Sequence, residues 1–454
     1  MKKIIGIRRE DKNEWERRVS LIPEHIKILK KKFGITTLIQ PSSTRIYTDA
    51  EYEKAGASVT EDISAANFIL GVKEIPIDFI DENKTYMFFS HTIKGQAYNM
   101  NLLKKLVDKK VNLIDYERIL DENDKRLVFF GRFAGIAGMI ETLYTYGQKL
   151  KKLGYVTPFE NIKQAYMYDS IEEAKKEIKK IGEEIEEYGY PSDIAPLIVG
   201  FTGYGNVSRG AQEIFDLLPY KIVSPYIIDI NYENFSNDNY NIYKVIFKEE
   251  DLVQLKKEYV KTKNEKSDYF DANLHNEQFQ LQDYYDNPHK YESKFENYLN
   301  YLTILVNCIY WTEKYPKLIT KDYLKKNTIL SSNLTLKVVG DISCDINGSI
   351  EITKEATMPD NPSFTYFAKD DRYEDDISRL GVTVMAVDNL PCEFSKESSE
   401  AFSNVLMGYI DGIVSADFNG SFEKLEISNH IKKGLVLHRG KFTTNYEYMN
   451  DFIK

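Results

Sequence analysis

Cysteine is scarce in this chain of 454 residues, which contains three: Cys308, Cys344 and Cys392. None of them forms a C-x-x-C pair, so the sequence offers no disulfide framework and no cysteine-based metal site. This scarcity predicts a reducing compartment, and we expect a cytoplasmic protein. Because the chain opens directly on the apolar segment Ile4–Ile7, we also expect it to lack a signal or transit peptide.

Long apolar runs and an excess of positive charge are also missing. No apolar run approaches the roughly 20 residues that a membrane-spanning helix needs, and the formal net charge is -10. Nucleic acids and anionic membranes attract basic surfaces, so we expect neither as a partner. The 42% apolar and 29% charged residues are typical of a globular protein, and the length favours two domains over one core.

A strand, a glycine turn and a helix are predicted between residues 197 and 218. The helix is indicated by apolar residues spaced i, i+3, i+4 and i+7: Ala211, Ile214, Phe215 and Leu218. Gly203 permits the tight turn, and Gly205 lets a pyrophosphate approach the free N–H groups of the helix N-terminus. Ser208 replaces the third glycine of the usual G-x-G-x-x-G, with Gly210 two residues later. The context predicts a dinucleotide site; the alternative is a glycine turn that binds nothing.

Apolar runs alternate with helical patterns on both sides of this turn. The runs predicted as buried strands are Ile4–Ile7, Thr36–Ile39, 68–72, 86–90, 111–114, 301–306, 336–339 and 382–387. Helices are predicted to begin at Pro23, near Leu102, after Ser170 and after Ser398, and small residues at 133–140 suggest an interdomain connector. This alternation predicts an α/β fold of two doubly wound, Rossmann-like domains with a cleft between them.

The predicted domain boundaries place residues 1–135 and 395–454 in a substrate domain. Residues 136–394 form the dinucleotide-binding domain, with a polar insertion around 231–300. That stretch is rich in Asn, Asp, Lys and Tyr and weakly periodic, so we expect it to cover a face or a cleft, or to be partly disordered.

Four predicted strand ends carry side chains suited to binding carboxylates or moving protons. Arg18 lies in a basic turn before Pro23, and its guanidinium fork matches a carboxylate. Lys73 and His91 each follow an apolar strand and are suited to acid–base chemistry. Asp341 follows another predicted strand, and its carboxylate is suited to contact a cofactor ribose or the reacting groups. The simpler alternatives are a solvated turn, an exposed lysine, a structural histidine and an aspartate that caps a turn.

Longer motifs resemble the lysine–ketoglutarate reductase domain of α-aminoadipic semialdehyde synthase. More distantly, they are similar to alanine dehydrogenase and to fungal lysine-forming saccharopine dehydrogenase. The motifs span nearly the whole chain: 8–11, 15–23, 69–73, 88–94, 113–117, 133–140, 201–212, 309–311, 341–343, 348–351 and 388–391. They include the replacement of glycine by Ser208 in the glycine turn.

The resemblance implies a reductase that condenses L-lysine with 2-oxoglutarate and reduces the imine to saccharopine with NADPH, in lysine degradation. Lys73 and His91 are implied to be the acid–base pair. The implied substrate contacts are Arg18, Glu74, Glu117 and Arg126. The implied cofactor contacts are Gly203, Gly205, Asn206, Val207, Ser208, Arg209, Asp345 and Asn389. No metal is implied.

Two differences from the family, and one acid that is missing, affect which of the family's roles can be assigned to this chain. We expect no saccharopine-oxidising half of the kind that the animal and plant proteins carry, and therefore only the first reaction. Asn13 stands where the fungal enzyme carries a lysine. An NAD site is expected to carry an acid about 20 residues past the turn, at the end of the next strand. Segment 220–225 carries none, which favours NADP, with Arg209 or Lys221 as candidates for contacting the 2′-phosphate.

Two other functions remain open from the sequence. One is another amino-acid or opine dehydrogenase of the same fold, and the other is a cofactor-binding regulatory module without turnover. For the enzyme we expect small-molecule partners, L-lysine and 2-oxoglutarate, and we consider a homo-oligomer possible.

Overall fold

The structure, a computed structural model, describes residues 3–260, 279–330 and 335–453. It divides into two compact units: unit 1 comprises Met1–Phe130 with Ser395–Lys454, and unit 2 comprises Gly131–Phe394. Each unit is built on a mostly parallel eight-stranded sheet, so the predicted α/β class is confirmed. In the described part of the chain, no helix is both long enough and apolar enough to span a membrane.

The secondary-structure elements alternate along most of the chain. The strands are β1 Ile4–Ile7, β2 Thr36–Ile39, β3 Ser58–Val59, β4 Phe68–Leu70, β5 Thr85–Phe88, β6 Asn112–Asp115, β7 Ile198–Thr202, β8 Tyr220–Val223, β9 Ile242–Phe247, β10 Val253–Leu255, β11 Tyr291–Ser293, β12 Ile304–Asn307, β13 Val338–Asp341, β14 Ser363–Phe367, β15 Arg372–Glu374, β16 Val382–Met385, β17 Leu435–His438 and β18 Lys441–Phe442. The helices are α1 Pro23–Phe33, α2 Asp49–Ala55, α3 Met100–Asp108, α4 Gly131–Leu153, α5 Ile171–Tyr188, α6 Asn206–Phe215, α7 Ile228–Phe235, α8 Glu249–Leu252, α9 Leu281–Asp286, α10 Lys321–Leu330, α11 Ser395–Leu406, α12 Ile410–Ser415 and α13 Asn429–Gly434.

Unit 1 has the strand order β18-β17-β6-β5-β4-β1-β2-β3. The strands from β1 to β6 pair in parallel, and β17 adds to the edge in the antiparallel sense. The C-terminal segment belongs to this unit, because Phe402, Leu406 and Ile410 are buried in the same core as strands β1 and β4. Helix α1 begins at Pro23 and ends at Gly34, whose left-handed backbone (φ 67°) suits a residue without a side chain.

Unit 2 has the strand order β15-β14-β16-β13-β12-β7-β9-β8. The next strand along the chain after the glycine turn is β8, but β8 does not lie beside β7 in the sheet. Strand β9 pairs in parallel with β7, Gly200 opposite Val245, and β8 lies beyond it at the edge. This order corrects the sequence argument about the cofactor, because an acid that reads the adenosine ribose is expected at the end of the strand beside β7.

The polar segment around 231–300 contains a core strand, contrary to the prediction of an insertion. Strand β9 is mostly buried and is part of the main sheet. Lys244 interrupts its apolar pattern, but the ammonium pairs with Asp216 at 2.5 Å and lies 4.8 Å from the centre of the Tyr220 ring. Residues 261–278 of the predicted insertion lie outside the described residues.

Helices α4 and α6 approach each other backbone to backbone. A Cβ atom added at Gly135 would lie 2.0 Å from the Val207 carbonyl oxygen, and one at Gly210 would lie 2.1 Å from the Arg132 carbonyl oxygen. The small residues at 133–140, predicted as an interdomain connector, therefore lie in a helix of unit 2 and allow α4 to pack against the helix that follows the glycine turn.

Unit 2 also buries two carboxyl groups that face each other. Glu141 on α4 is fully buried and Glu393 nearly so, and one oxygen of each carboxyl is buried without a hydrogen-bond donor among the described residues. The Ala165 N–H donates to Glu141 at 2.5 Å, and the Tyr166 N–H donates to Glu393 at 3.2 Å. Burial raises the pKa of both groups, and their mutual repulsion raises that of Glu393 further. A shared proton is the arrangement that satisfies both carboxyls.

We expect this pair to make unit 2 less stable as the pH rises. A carboxyl whose folded pKa is raised stabilises the fold below its unfolded pKa, near 4.3, and loses that contribution as the pH rises through the folded value. The pKa of Glu141 is raised to about 7, so the free energy of unfolding should fall by about 1–3 kcal/mol between roughly pH 5 and pH 8.

Glu393→Gln should flatten this dependence, because an amide donates to Glu141 and still accepts from Tyr166. Denaturant titrations at the two pH values measure the difference. Glu184→Gln, on the exposed face of α5, is the matched control and should follow the wild type. An equal fall of the free energy of unfolding with pH in all three proteins would contradict the shared proton.

Candidate active site

Four parallel strands of unit 1 end at one edge of its sheet. They are β6, β5, β4 and β1, which are neighbours in that order. The loops that follow them carry the predicted substrate and acid–base residues of this unit: Arg18, Lys73, Glu74, His91, Glu117 and, after a β-bridge, Arg126. Carboxyl ends of parallel strands are the usual place for a ligand site.

His91 and Glu74 form a hydrogen-bonded pair at this edge. The His91 Nδ1 atom lies 2.6 Å from Glu74 Oε1, and the Lys12 ammonium lies 3.3 Å from Oε2. Burial alone would raise the pKa of Glu74, but the hydrogen bond and charge of His91, together with Lys12, lower it to about 2. Glu74 is therefore a carboxylate, and a carboxylate bound at Nδ1 directs the other ring nitrogen toward proton exchange.

The backbone at His91 is held in the left-handed region, with φ of 47°. The Asn99 side-chain amide donates to the carbonyl oxygens of Ser90 (3.0 Å) and His91 (3.3 Å). Asp115 accepts the Ser90 N–H at 3.2 Å and also the Ser90 hydroxyl. Burial raises the pKa of this aspartate to about 6, against the hydrogen bond from Ser90. Asn99 and Asp115 carried no role in the sequence analysis, because their partners come from other segments.

Lys73 follows β4 and is only partly exposed. Its backbone N–H donates to Glu10 Oε2 at 2.9 Å, and Glu10 lies in the loop after β1. Sequence reasoning gave Glu10 no role; it stood only inside a matching motif. Lys73 is followed in the chain by Glu74, whose carboxylate binds His91.

Arg18 is buried and already paired. Its Nε and Nη2 atoms donate to the two carboxylate oxygens of Glu16 at 2.8 and 2.6 Å, and its guanidinium lies 4.3 Å from the centre of the Phe130 ring. Both charged side chains are nearly inaccessible, at 2% and 0%. Glu16 therefore engages two of the five N–H groups of Arg18.

Glu117 and Arg126 form an ion pair, with the guanidinium half exposed and the carboxylate mostly buried. The Glu117 N–H donates to Asp115 at 2.8 Å, so Asp115 links this pair to the segment that carries His91. Hydrogen bonds and the Ser90–His91 segment thereby link three of the predicted substrate residues, Glu74, Glu117 and Arg126.

The glycine turn of unit 2 has the geometry that an anion needs. Gly203 adopts φ of 83°, and a Cβ atom at Gly205 would meet no atom within 4 Å. Helix α6 begins at Asn206, and no side chain caps its N-terminus, so its first N–H groups, including that of Val207, point at this open space. The residues present therefore fit a dinucleotide pyrophosphate.

Ser208 and Arg209, which are successive residues of α6, differ in their burial. Ser208 is fully buried, and its hydroxyl accepts from the Gln212 amide at 2.9 Å. The close contact that the third glycine usually allows is made at Gly210 instead. Arg209 is exposed, and Lys221, the other candidate for a 2′-phosphate, pairs with Asp238 at 2.7 Å on the edge strand β8.

Asp345 and Asn389 follow β13 and β16, two parallel neighbours on the same sheet as β7. Both are partly exposed. Asp341, in contrast, is buried and accepts from Asn307 at 2.8 Å and from Thr353 at 2.6 Å. Burial raises its pKa to about 6, and it also accepts the Cys344 N–H at 3.2 Å.

Glu249 lies beside the glycine turn, although the sequence did not indicate it. Strand β9 ends at Phe247, whose carbonyl oxygen accepts the Gly203 N–H at 3.1 Å. The Glu249 carboxylate accepts from the Tyr204 hydroxyl at 3.2 Å and from Tyr285 at 2.6 Å. An acid thus stands at the end of the strand that neighbours β7. The sequence did not indicate this acid because the order of strands in a sheet cannot be read from their order in the chain.

These two units have the architecture of the alanine dehydrogenases. A solved L-alanine dehydrogenase superposes with a TM-score of 0.60 at 15% identity, covering 99% of this chain and 100% of that chain. The family models for alanine dehydrogenase/PNT match here as well, the N-terminal domain over residues 6–137 and the C-terminal domain over residues 248–445.

The full-length similarity is to a narrower group. The chain is 38% identical to α-aminoadipic semialdehyde synthase of Arabidopsis thaliana over 98% of its own length and 41% of that protein. It is 34% identical to the mitochondrial α-aminoadipic semialdehyde synthase of Mus musculus over 99% and 48%. The chain thus spans about half the length of these relatives or less. It belongs to the alanine dehydrogenase/PNT superfamily, and its full-length similarity to part of the α-aminoadipic semialdehyde synthases confirms the resemblance read from its motifs.

A more distant relative matches over most of its own length. The saccharopine dehydrogenase [NAD(+), L-lysine-forming] of Schizosaccharomyces pombe is 26% identical over 88% of this chain and 90% of that protein.

Proposed function

We propose that the chain is a reductase that joins L-lysine to 2-oxoglutarate and reduces the resulting imine to saccharopine, as a step of lysine degradation. The names of the relatives support a saccharopine-type oxidoreductase. The observation that carries the proposal is the His91–Glu74 pair at 2.6 Å, directly adjacent in the chain to Lys73. It supports the proposal because Lys73 and His91, the proposed proton-exchanging groups, follow the neighbouring strands β4 and β5, at the sheet edge where a ligand is expected.

The residues of unit 1 supply the proton transfers of the condensation. The ε-amine of lysine must lose a proton before its nitrogen attacks the keto carbon, and the adduct must then lose its hydroxyl as water. Lys73 and His91 exchange these protons, with Glu74 fixing the ring through Nδ1. A bound reduced nicotinamide supplies the hydride that ends on the former keto carbon.

Arginines suit the carboxylates of this substrate pair. L-lysine and 2-oxoglutarate carry three between them, and a guanidinium binds a carboxylate through two parallel hydrogen bonds. Arg126 is half exposed and able to exchange its partner Glu117 for a substrate carboxylate. Arg18, held by Glu16, contributes a fixed positive charge beside the same edge.

The preferred cofactor in this proposal is NADPH, which the family resemblance implies. The glycine turn, with Gly203, Gly205, Asn206, Val207, Ser208 and Arg209, is proposed to hold the pyrophosphate, and Asp345 and Asn389 the nicotinamide end. One observation favours NADH instead: Glu249 stands where an acid would bind the 2′-hydroxyl and repel a 2′-phosphate.

Glu249→Gln decides between the two cofactors. If the carboxylate discriminates, the variant should lower the ratio of Kd for NADPH to Kd for NADH by about tenfold, the value of one hydrogen bond to a charged group. Fluorescence of the reduced nicotinamide measures both constants. Glu250→Gln, next in the chain, is the control. An unchanged ratio, with NADPH bound more tightly by the wild type, would support NADPH and leave Glu249 without this role.

The reaction is tested by following oxidation of the reduced cofactor with each substrate omitted in turn. Oxidation should require both lysine and 2-oxoglutarate, and it should fail when ornithine, alanine or ammonia replaces lysine. Turnover with another amine would identify a different amino-acid or opine dehydrogenase of the same fold. Cofactor binding without turnover of any pair would identify a regulatory module.

Location is a separate part of the proposal. We propose the cytoplasm, on the low cysteine content, although the mouse relative is named as mitochondrial. Fractionation of the source cells with an antibody against the chain tests this directly.

A further inference from the structure

Glu10 continues the hydrogen-bonding pattern of strand β4 beyond its last residue. Strands β1 and β4 are parallel neighbours with Ile7 opposite Leu70, and the Arg8 N–H donates to the Leu70 carbonyl oxygen at 2.9 Å. Past this point the Gly71 N–H still donates to the Met87 carbonyl oxygen of β5 at 3.1 Å, but the two donors that follow it are met by a side chain. The N–H groups of Val72 and Lys73 donate to the two oxygens of the Glu10 carboxylate, at 2.6 and 2.9 Å.

The contacts of Glu10 are directed at the backbone rather than at a charge. The two arginines that precede it along the chain pair with other acids, Arg9 with Glu61 and Arg8 with Asp11. Burial and the charge of Glu16 raise the pKa of Glu10 to about 7, while the two backbone N–H groups and Arg8 act in the opposite direction. A carboxylate in such surroundings is costly, and its two oxygens match two successive N–H groups.

The segment fixed by Glu10 carries two of the proposed reacting groups. Lys73 is one of the two residues whose N–H groups it binds, and Glu74, which follows, holds His91 at 2.6 Å. A shift of this short segment would therefore move the lysine and the histidine partner together. Misplacement of a reacting group by about 1 Å can lower a rate about 100-fold.

We propose that Glu10 is a positioning residue, which sets the placement of Lys73 and Glu74 for proton transfer without touching the substrate itself. This inference rests on the proposed function, because it assigns Glu10 a part in the chemistry of Lys73. It adds Glu10, from the loop after β1, to the residues that form the proposed site.

Glu10→Gln tests the proposal with little change of shape. The amide oxygen can accept one N–H group, but the amide nitrogen faces the other and cannot accept it. We expect kcat to fall by about tenfold or more, with a smaller change in KM for lysine and an unchanged Kd for the cofactor, since the glycine turn lies in unit 2. Hydrogen exchange of a peptide covering residues 71–75, measured by mass spectrometry, should become faster.

Glu51→Gln is the matched control in the same unit. Glu51 also accepts a backbone N–H, that of Thr48 at 2.6 Å, but it does so in a capping box at the start of α2. Its replacement should lower the unfolding temperature slightly and leave kcat and the exchange of residues 71–75 as in the wild type.

Three results would overturn the inference, and they are distinct from a failure of the proposed function. Unchanged exchange in the Glu10→Gln variant would refute the contact. Faster exchange with wild-type kcat, or equal losses of activity in both variants, would refute the positioning role. A wild type that does not turn over lysine with 2-oxoglutarate would instead refute the proposed function, and with it the catalytic part of this inference.

Discussion

Lys73→Met is expected to lower kcat for the reductive condensation by about 10²–10⁴-fold, the usual contribution of a positioned acid–base group. Methionine keeps the length and most of the apolar contact of lysine but has no exchangeable proton. Because Lys73 is partly exposed and belongs to unit 1, the unfolding temperature and the cofactor Kd should stay close to those of the wild type. Steady-state kinetics and fluorescence titration measure these quantities on the same preparation.

The matched control for this variant is Lys104→Met on the exposed side of α3. It removes the same charge from the same unit and should leave kcat unchanged. A Lys73→Met enzyme with wild-type kcat would remove the acid–base role from Lys73 and leave His91 as the remaining candidate.

Gly210→Ala is expected to destabilise unit 2, by about 1–3 kcal/mol or more, as overpacking usually does. The added Cβ would lie 2.1 Å from the Arg132 carbonyl oxygen, a backbone atom that cannot turn away. Helices α4 and α6 would have to separate, and α6 carries at its N-terminus the N–H groups proposed to bind the pyrophosphate. Cofactor affinity should therefore fall together with the free energy of unfolding.

Gly412→Ala provides a control with the opposite sign. Gly412 lies in helix α12, and a Cβ there would meet no atom within 4 Å. Alanine is favoured over glycine in a helix by about 1 kcal/mol, so this variant should be as stable as the wild type or more stable. Denaturant unfolding of both variants, with a cofactor titration, tests the pair. Equal stability of Gly210→Ala and the wild type would contradict the close approach.

The elements with strong local signals were predictable from the sequence. The start of helix α1 was placed correctly at Pro23, because proline is favoured in the first turn of a helix. Helix α5 was placed by Ser170, whose hydroxyl accepts the Glu173 N–H at 3.1 Å. The strand, turn and helix around Gly203 were also correct, because each depends on neighbouring residues in the chain.

Features that depend on distant pairing were not predictable in the same way. The sequence treated β8 as the neighbour of β7, but sheet order is decided by packing across the whole unit, and β9 takes that place. Lys244 hid β9, because a buried lysine breaks an apolar pattern even when Asp216 compensates its charge. Glu249 was missed because its significance depends on β9, the strand before it, lying beside β7.

The candidate site shows the same division. Lys73 and His91 stood out because each ends an apolar strand. Glu10 and Asp115 did not, because their roles depend on backbone N–H and hydroxyl groups contributed by neighbouring loops. A buried acid that holds a loop looks, in one sequence, like any other acid near a turn.

The most direct test of the account is the fate of the lysine side-chain nitrogen. The protein is incubated with lysine labelled with ¹⁵N at the ε-position, 2-oxoglutarate and reduced cofactor, and the product is analysed by mass spectrometry. The account predicts saccharopine that retains the label, because the ε-nitrogen forms the new bond to the former keto carbon. Labelled ammonium, unlabelled glutamate or no product would contradict it.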